Sequence, residues 1–137
     1  MIREGGIIEF VQALKSNTTL TDLCLSLNRI NNTGLEALSG FLAENSTLLN
    51  LDISKNIFSD SGFVKFATEL GKNKGITTLN LSKNKDISDE VGLRKLAEAL
   101  TTNSSLSEID LTGLKIRKPC LMNYFKPALL QNITLKR

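Results

Sequence analysis

The chain has 137 residues, of which 41% are hydrophobic and 23% charged, and its formal net charge is +3. These values are ordinary for a globular domain, and no apolar run approaches the roughly 18 to 20 residues that a membrane-spanning helix needs. Histidine is absent, which excludes histidine-based acid–base catalysis and histidine-ligated metal sites within this chain.

A short phrase, Asn-x-x-(Leu/Ile), occurs five times, beginning at Asn17, Asn45, Asn73, Asn103 and Asn132 with spacings of 28, 28, 30 and 29 residues. An internal period of this size indicates a stacked-repeat architecture. The phrase leads into the longer pattern L-x-x-L-x-L-x-x-N, in which leucines two apart point to the same side of a strand. This pattern comprises Leu20, Leu23, Leu25, Asn28; Leu48, Leu51, Ile53, Asn56; Ile76, Leu79, Leu81, Asn84; and, without the final Asn, Leu106, Ile109, Leu111, Leu114.

After each strand, apolar residues recur at spacings of three and four, which predicts a helix that covers the inner side of the sheet. In chain order the predicted helices span residues 4–15, 33–44, 60–72, 88–101 and 119–131. Pro119 fits the first turn of the last helix, whereas Pro127 would fall inside it and remove a backbone donor, so that helix is predicted to be short or kinked. The candidate N-caps are Thr33, Ser59 or Asp60, and Ser88 or Asp89.

The repeat resembles the leucine-rich repeat of the ribonuclease-inhibitor-like type, whose units alternate a short strand with a full helix. This resemblance implies an α/β solenoid, a right-handed βα superhelix with a parallel sheet on its concave face and helices on its convex face. A stack is needed because one strand and one helix cannot bury their apolar faces alone. Two extra residues in the third unit, around Lys85 and Asp86, are expected to bulge one loop without altering the strand.

The organisation predicted from the repeats is a single domain over residues 1–137, with about four to five repeats, that starts and ends in the middle of a repeat. Solenoid ends normally carry polar capping repeats, and none is recognisable in this sequence. We therefore expect a fragment of a longer solenoid with apolar surface at both ends, and end-to-end self-association of the chain as a consequence. The alternative is a natural short protein whose ends pair with another chain.

The sequence offers little chemistry of its own. Cys24 and Cys120 lie about three repeats apart, and at roughly 5 Å per repeat they are too distant for a disulfide. Two thiols that do not pair favour a reducing compartment, so a cytoplasmic location is predicted. No phosphate-binding loop or calcium loop is recognisable, and the carboxylates of Asp52 and Asp110 have no perturbing pocket behind them. We therefore expect no enzymatic activity, no cofactor and no metal.

What remains is a surface. Strand alternation sends the residues between the leucines to the concave face, and this set contains four carboxylates but no Lys, Arg or aromatic residue. The predicted partner-binding residues are Asp22, Ser26, Asn50, Asp52, Ser54, Thr78, Asn80, Ser82, Glu108, Asp110 and Thr112, with Cys24 in the same set. The adjoining positions form a basic edge, which consists of Arg29, Lys55, Lys83, Lys85, Lys115, Arg117 and Lys118.

Two functions follow from this surface. The first, which the family resemblance implies, is a protein-interaction scaffold that binds a protein, with a basic surface, on its concave face. Phrases such as Leu51–Asn56 resemble those of cytosolic proteins that include actin-capping regulators, innate-immune sensors and ribonuclease inhibitor. The alternative is binding of nucleic acid or anionic lipid through the basic edge. The single tyrosine and the modest net charge argue against it, so no nucleic-acid partner is expected.

Overall fold

The structure is a computed structural model that describes residues 4–88, 90–132 and 134–136. Its helices and strands alternate along the chain, as the repeat pattern predicts. The elements are α1 (Glu4–Leu14), β1 (Asp22–Cys24), α2 (Asn32–Glu44), β2 (Asn50–Asp52), α3 (Asp60–Lys72), β3 (Thr78–Asn80), α4 (Gly92–Thr102), β4 (Glu108–Asp110), α5 (Lys118–Cys120), a π-helical segment (Leu121–Phe125) and α6 (Lys126–Gln131).

The four strands form one parallel sheet in the order β1-β2-β3-β4. The register aligns Leu23 with Leu51, Leu51 with Leu79, and Leu79 with Ile109. The last of these pairs is 30 residues apart rather than 28, so the two extra residues of the third unit are accommodated in the loop and the strand register is kept. The α/β repeat fold and its strand register are therefore confirmed.

The core lies between the sheet and the helices. The pattern leucines Leu51, Leu79 and Leu81 are at most 2% exposed, and the helical residues Phe63 and Phe66 are fully buried. Aromatic rings also stack in the centre of the core, with ring centroids 6.1 Å apart between Phe58 and Phe63 and 5.9 Å apart between Phe63 and Phe66. Burial of these side chains from both halves of each repeat stabilises the stack, because neither half covers its own apolar face.

Buried asparagines join one repeat to the next. Asn73, which is 7% exposed, donates from Nδ2 to the carbonyl of Leu42 at 2.9 Å and to that of Asn45 at 2.8 Å. Its Oδ1 accepts from the N–H of Ile76 at 2.9 Å. Asn103 repeats the same bonds one unit later. An amide side chain has both donors and an acceptor, so it satisfies loop backbone groups that the sheet does not reach.

The observed N-termini of α2 and α4 correct two predictions about N-caps. Thr33 is not an N-cap, because Asn31 occupies that position and its Oδ1 accepts from the N–H of Gly34 at 3.1 Å. Ser59 is the N-cap of α3, as predicted, although its side chain makes no capping bond. The fourth helix begins at Gly92 and not at residue 88, and Ser88 is not its cap. Asp60 accepts a hydrogen bond from the N–H of Ser88 at 2.9 Å, which holds Ser88 in the preceding loop. Asp89, the other candidate cap, lies outside the described residues.

The last helical segment is interrupted, as its two prolines predict. Pro119 lies in the first turn of α5, which is only three residues long. The chain then widens into the π-helical segment, where the N–H of Lys126 donates to the carbonyl of Leu121, before α6 continues with Pro127 in its first turn. A proline has no N–H to donate to the carbonyl one turn earlier. The π-type turn next to Pro127 allows the helix to continue without that hydrogen bond.

Candidate functional site: the open face of the sheet

The predicted binding residues lie in three rows that cross the outer face of the sheet, which we call the open face. Neighbouring members of a row are on adjacent strands, about 4.8 Å apart. The first row holds Asp22, Asn50, Thr78 and Glu108; the second holds Cys24, Asp52, Asn80 and Asp110; the third, just past the strands, holds Ser26, Ser54, Ser82 and Thr112.

The rows differ in how much they present to a partner. In the third row Ser54 is only 3% exposed and Ser82 only 7%. The hydroxyls of Ser26 and Ser54 also hydrogen-bond to each other at 2.9 Å. These serines therefore act mainly within the fold, because small side chains at this position let neighbouring repeats approach. The accessible part of the open face consists chiefly of the first two rows, with Thr112 exposed at the end of the third.

An open groove of about 380 Å³ runs along the face across the first three strands. Leu23 and Leu51 also border the groove, although both side chains are buried on the core side of the sheet. The groove brings together five of the predicted residues, together with Cys24, and leaves the acidic residues of β4 outside it. The polar lining residues are Asp22, Cys24, Asn50, Asp52, Thr78 and Asn80.

Hydrogen bonds fix the carboxylates on this face. The hydroxyl of Thr21 donates to Asp22 at 2.6 Å and the side-chain amide of Asn50 also donates to it, and together they hold the pKa of Asp22 below its usual value. The side chain of Thr112, and after it the Thr112 N–H at 2.8 Å from Oδ1, hold the pKa of Asp110 below its usual value. Lys83 adds a smaller attraction. Both carboxylates are therefore ionised at neutral pH.

The second row repeats one local turn. Oδ1 of Asp52 accepts from the N–H of Ser54 at 2.9 Å, and Oδ1 of Asn80 accepts from the N–H of Ser82 at 3.0 Å. The same bond is made by Asp110. A short side chain that bonds to the backbone two residues on is typical of Asp and Asn at a turn. Because Asn80 makes the same bond without a charge, the turn itself requires only the side-chain oxygen.

The basic edge begins where the strands end. Lys55 and Lys83 have φ angles of 54° and 61°, in the left-handed region. Leu27 and Gly113 occupy the equivalent positions in the first and fourth units, with φ angles of 60° and 78°. The strained backbone is retained because the N–H of Lys55 donates to the carbonyl of Ser82 in the next repeat at 2.9 Å. These turns lead the chain out of the sheet into the loops that carry the remaining basic residues.

A second pocket, which the repeat pattern does not reveal, lies between two of these loops and also measures about 380 Å³. Lys85, Asp86 and Ser88 line it from the β3–α4 loop, and Lys115 and Arg117 line it from the β4–α5 loop. The two extra residues of the third unit and the basic run after β4 were both visible in the sequence. Their meeting was not, because it depends on how adjacent repeats stack.

No arrangement in the described part of the chain provides for metal chemistry, since no group of three His, Cys, Asp or Glu residues there could hold an ion. Cys24 and Cys120, both within that part, form no disulfide. Across residues 4–88, 90–132 and 134–136, no helix has the length and apolar character required to cross a membrane.

Comparison with known proteins identifies the repeat. The family model described as Leucine Rich repeat matches three consecutive segments, residues 16–39, 44–67 and 72–97, which together make up more than half of the chain. The chain belongs to the leucine-rich repeat family. Each matched segment contains one strand and most of the following helix, so the leucine-rich repeat unit of this chain coincides with the structural unit.

Solved structures show the same leucine-rich repeat fold. The chain superposes on a structure described as Leiomodin-1 Actin-Binding Site 2 with a TM-score of 0.81 and 20% identity, covering 96% of this chain and 75% of that one. It superposes on the C-terminal domain of tropomodulin from Caenorhabditis elegans with a TM-score of 0.80 and 15% identity, covering 93% of this chain and 78% of that one. At these identities the likeness concerns the fold. No curated protein matches the sequence.

Proposed function

We propose that this chain is a protein-interaction module that binds a partner protein on its open face. The observation that carries the proposal is the charge of that face. Asp22, Asp52, Glu108 and Asp110 lie in the first two rows of the open face, and those rows contain no Lys or Arg. Sheet faces of solenoids are extended binding surfaces, and a field of a single sign attracts a partner of the opposite charge.

The chemistry of the groove specifies what the partner should present. Asp22 and Asp52 lie in its lining, and the side-chain amides of Asn50 and Asn80 lie beside them. The stem of an arginine or lysine side chain would lie along the groove, and its charged end would reach a carboxylate. We therefore expect the partner to insert a basic side chain here, while Glu108 and Asp110 attract a second basic group next to it.

Actin is the first candidate partner, because one similar structure is described as an actin-binding site. That likeness lies in the fold, so it supports a test of actin and no more. We also propose that the chain acts without catalysis, as a scaffold, and that it works in the cytoplasm. The location is supported by the absence of a disulfide between Cys24 and Cys120, as in reducing compartments.

The test removes charge without disturbing the turn. In the variant Asp52→Asn/Asp110→Asn each new amide oxygen keeps the bond to the N–H two residues on, as Asn80 does. Association with actin would be followed by biolayer interferometry over a range of NaCl concentrations. We expect the association rate at low salt to fall about tenfold and its salt dependence to flatten, because complementary charge acts chiefly on the on-rate. The reversal Asp52→Lys/Asp110→Lys should have a larger effect.

The control reverses part of the basic edge with the triple change Lys115→Glu/Arg117→Glu/Lys118→Glu, which should leave the binding of unphosphorylated actin on the open face almost unchanged. If this triple variant abolished binding to actin, or to anionic lipid, while the Asp variants bound normally, the open-face assignment would be refuted. The basic-edge function would then take its place.

A further inference from the structure

The pocket between the β3–α4 and β4–α5 loops, which we call the loop pocket, combines a defined volume with a concentration of positive charge. Lys85, Lys115 and Arg117 line it, and Asp86 is the opposing carboxylate. Ile87 and Ser88 complete the lining, and the Ser88 hydroxyl is hydrogen-bonded to Asp60. The charge of these lining residues is therefore positive by two units, in a shallow, widely open pocket of about 380 Å³.

The cations of the loop pocket differ in their partners. Within the described part of the chain, Lys85 and Lys115 form no ion pair. Arg117 pairs with Glu90 at 3.6 Å, with both side chains largely exposed to solvent. Such exposed pairs contribute little to stability. An anion that accepts two hydrogen bonds from the guanidinium would compete well with Glu90, since bidentate charge-assisted bonds are among the strongest in proteins.

The backbone beneath these cations is anchored. On one side Ile87 is only 2% exposed, and the N–H of Ser88 is bonded to Asp60. On the other side Leu114 and Ile116 flank Lys115 and pack against the core. The N–H of Ile116 also donates to the carbonyl of Leu114 at 3.0 Å. Only the side-chain ends therefore have to be ordered when a ligand binds, which lowers the entropic cost.

We propose that the loop pocket binds the phosphate group of a phosphorylated side chain on a partner protein. A phosphate monoester carries close to two negative charges at neutral pH and three acceptor oxygens, which matches three converging cations better than a single carboxylate would. Membrane recognition typically uses four to eight clustered basic residues, whereas this pocket provides three together with an acidic residue.

The source of the phosphate follows from the position of the pocket. Both loops leave the carboxyl ends of strands whose side chains form the open face, and Lys83 and Gly113 lie at the start of these loops. A protein docked on the open face would therefore reach the loop pocket without rearrangement. The choice of a protein as the source rests on the proposed function, whereas phosphate binding by the pocket does not.

The experiment is a titration of the ¹⁵N-labelled chain with N-acetyl-O-phosphoserine amide, followed by NMR at constant ionic strength. The largest shifts should occur at residues 85–88 and 115–117. The variant Lys115→Gln/Arg117→Gln should weaken the apparent affinity about tenfold, because it removes two of the three charge-assisted contacts. The matched control, Lys55→Gln/Lys72→Gln, removes the same charge elsewhere and should bind like the unmodified chain.

The pH dependence provides an independent readout. The second pKa of a phosphate monoester is about 6, and the chain has no histidine that titrates in this range. Affinity should therefore rise between pH 5.5 and 7.5 for phosphoserine and stay flat for the carboxylate analogue N-acetyl-aspartate amide. Shifts spread over all basic residues, or equal binding by the pocket variant and the control, would overturn the proposal.

A sedimentation arm with phosphatidylcholine vesicles containing phosphatidylserine separates the two phosphate sources. Vesicle binding that depends on Lys115 and Arg117, with no response to phosphoserine, would replace the phosphoprotein proposal with a membrane site. If phosphoserine bound as expected while the Asp52→Asn/Asp110→Asn variant left partner binding unchanged, the open-face function would fail and the loop pocket would stand. If phosphoserine did not bind while the Asp52→Asn/Asp110→Asn variant weakened partner binding as expected, the loop-pocket proposal alone would be overturned.

Discussion

Replacement of Asn56 by alanine tests the hydrogen bonds that hold one repeat on the next. Asn56 is 6% exposed, and its Oδ1 accepts from the N–H of Ile30 at 2.9 Å. Its Nδ2 donates to the carbonyls of Leu25 at 3.0 Å and Ile53 at 2.9 Å. In the variant, Ile53 keeps a bond from Asn84 at 3.1 Å. The Ile30 N–H and the Leu25 carbonyl have no second hydrogen bond to any described residue.

The expected cost follows chiefly from these two groups, while the N–H of Asn28 also loses a longer bond of 3.2 Å to Oδ1 of Asn56. A buried group left without a partner costs about 1 to 3 kcal/mol, and water entering the space of the lost side chain recovers part of that. We expect Asn56→Ala to lower the free energy of unfolding by about 2 to 4 kcal/mol. With a urea m-value of about 2 kcal/mol per molar, the midpoint would fall by about 1 to 2 M.

Urea unfolding followed by far-UV circular dichroism measures the change, with Asn123→Ala as the control. Asn123 is exposed in the π-helical segment, so this variant should unfold close to the midpoint of the unmodified chain. If the two variants unfolded at the same urea concentration, the argument that Asn56 bridges repeats through buried backbone groups would fail.

Two further changes probe the core and the electrostatics. Leu79 is fully buried in β3, so Leu79→Ala should cost about 2 to 5 kcal/mol by leaving a cavity; an unchanged urea midpoint would mean that the register proposed for the stack is wrong. Thr112→Val should raise the pKa of Asp110 toward its usual value, because the Thr112 side chain is the main cause of the lowering. Because the pKa of Asp110 is lower in the folded than in the unfolded chain, its carboxylate stabilises the fold at pH values above the unfolded pKa of about 3.9. This stabilisation is lost as the pH falls through the folded-state pKa. The variant should therefore lose less stability on acidification, and a carboxyl ¹³C titration in which the Asp110 midpoint did not move would contradict this.

The repeat register could be predicted from the sequence because each buried position carries a recurring residue type. Leu51 and Leu79 recur at the same phase, and burial on one side of a strand tolerates no slip of one residue. Asn56 and Asn84 recur in the same way, as expected of side chains that satisfy the same backbone groups in each repeat. These are local requirements repeated in every unit, so one sequence shows each of them several times.

The features that could not be predicted from the sequence each depend on contacts that occur only once between neighbouring repeats. The late start of α4 at Gly92 depends on Asp60, a residue 32 positions earlier that also accepts from the N–H of Gly92 at 3.1 Å. The groove ends before β4 and the loop pocket begins beside it, because the fourth unit departs from the repeat. Such features result from packing between neighbours that differ, and a periodic pattern carries no information about them.

The binding role of the open face stays a prediction, and cross-saturation NMR tests it most directly. The deuterated, ¹⁵N-labelled chain would be observed in complex with its partner, with actin tried first, while only the partner's protons are irradiated. If the partner binds the open face, the greatest loss of intensity will occur at the backbone amides of Asn50, Asp52 and Asn80, with little loss along α2 and α3. Attenuation concentrated on these helices, with the strand signals unchanged, would contradict the central claim.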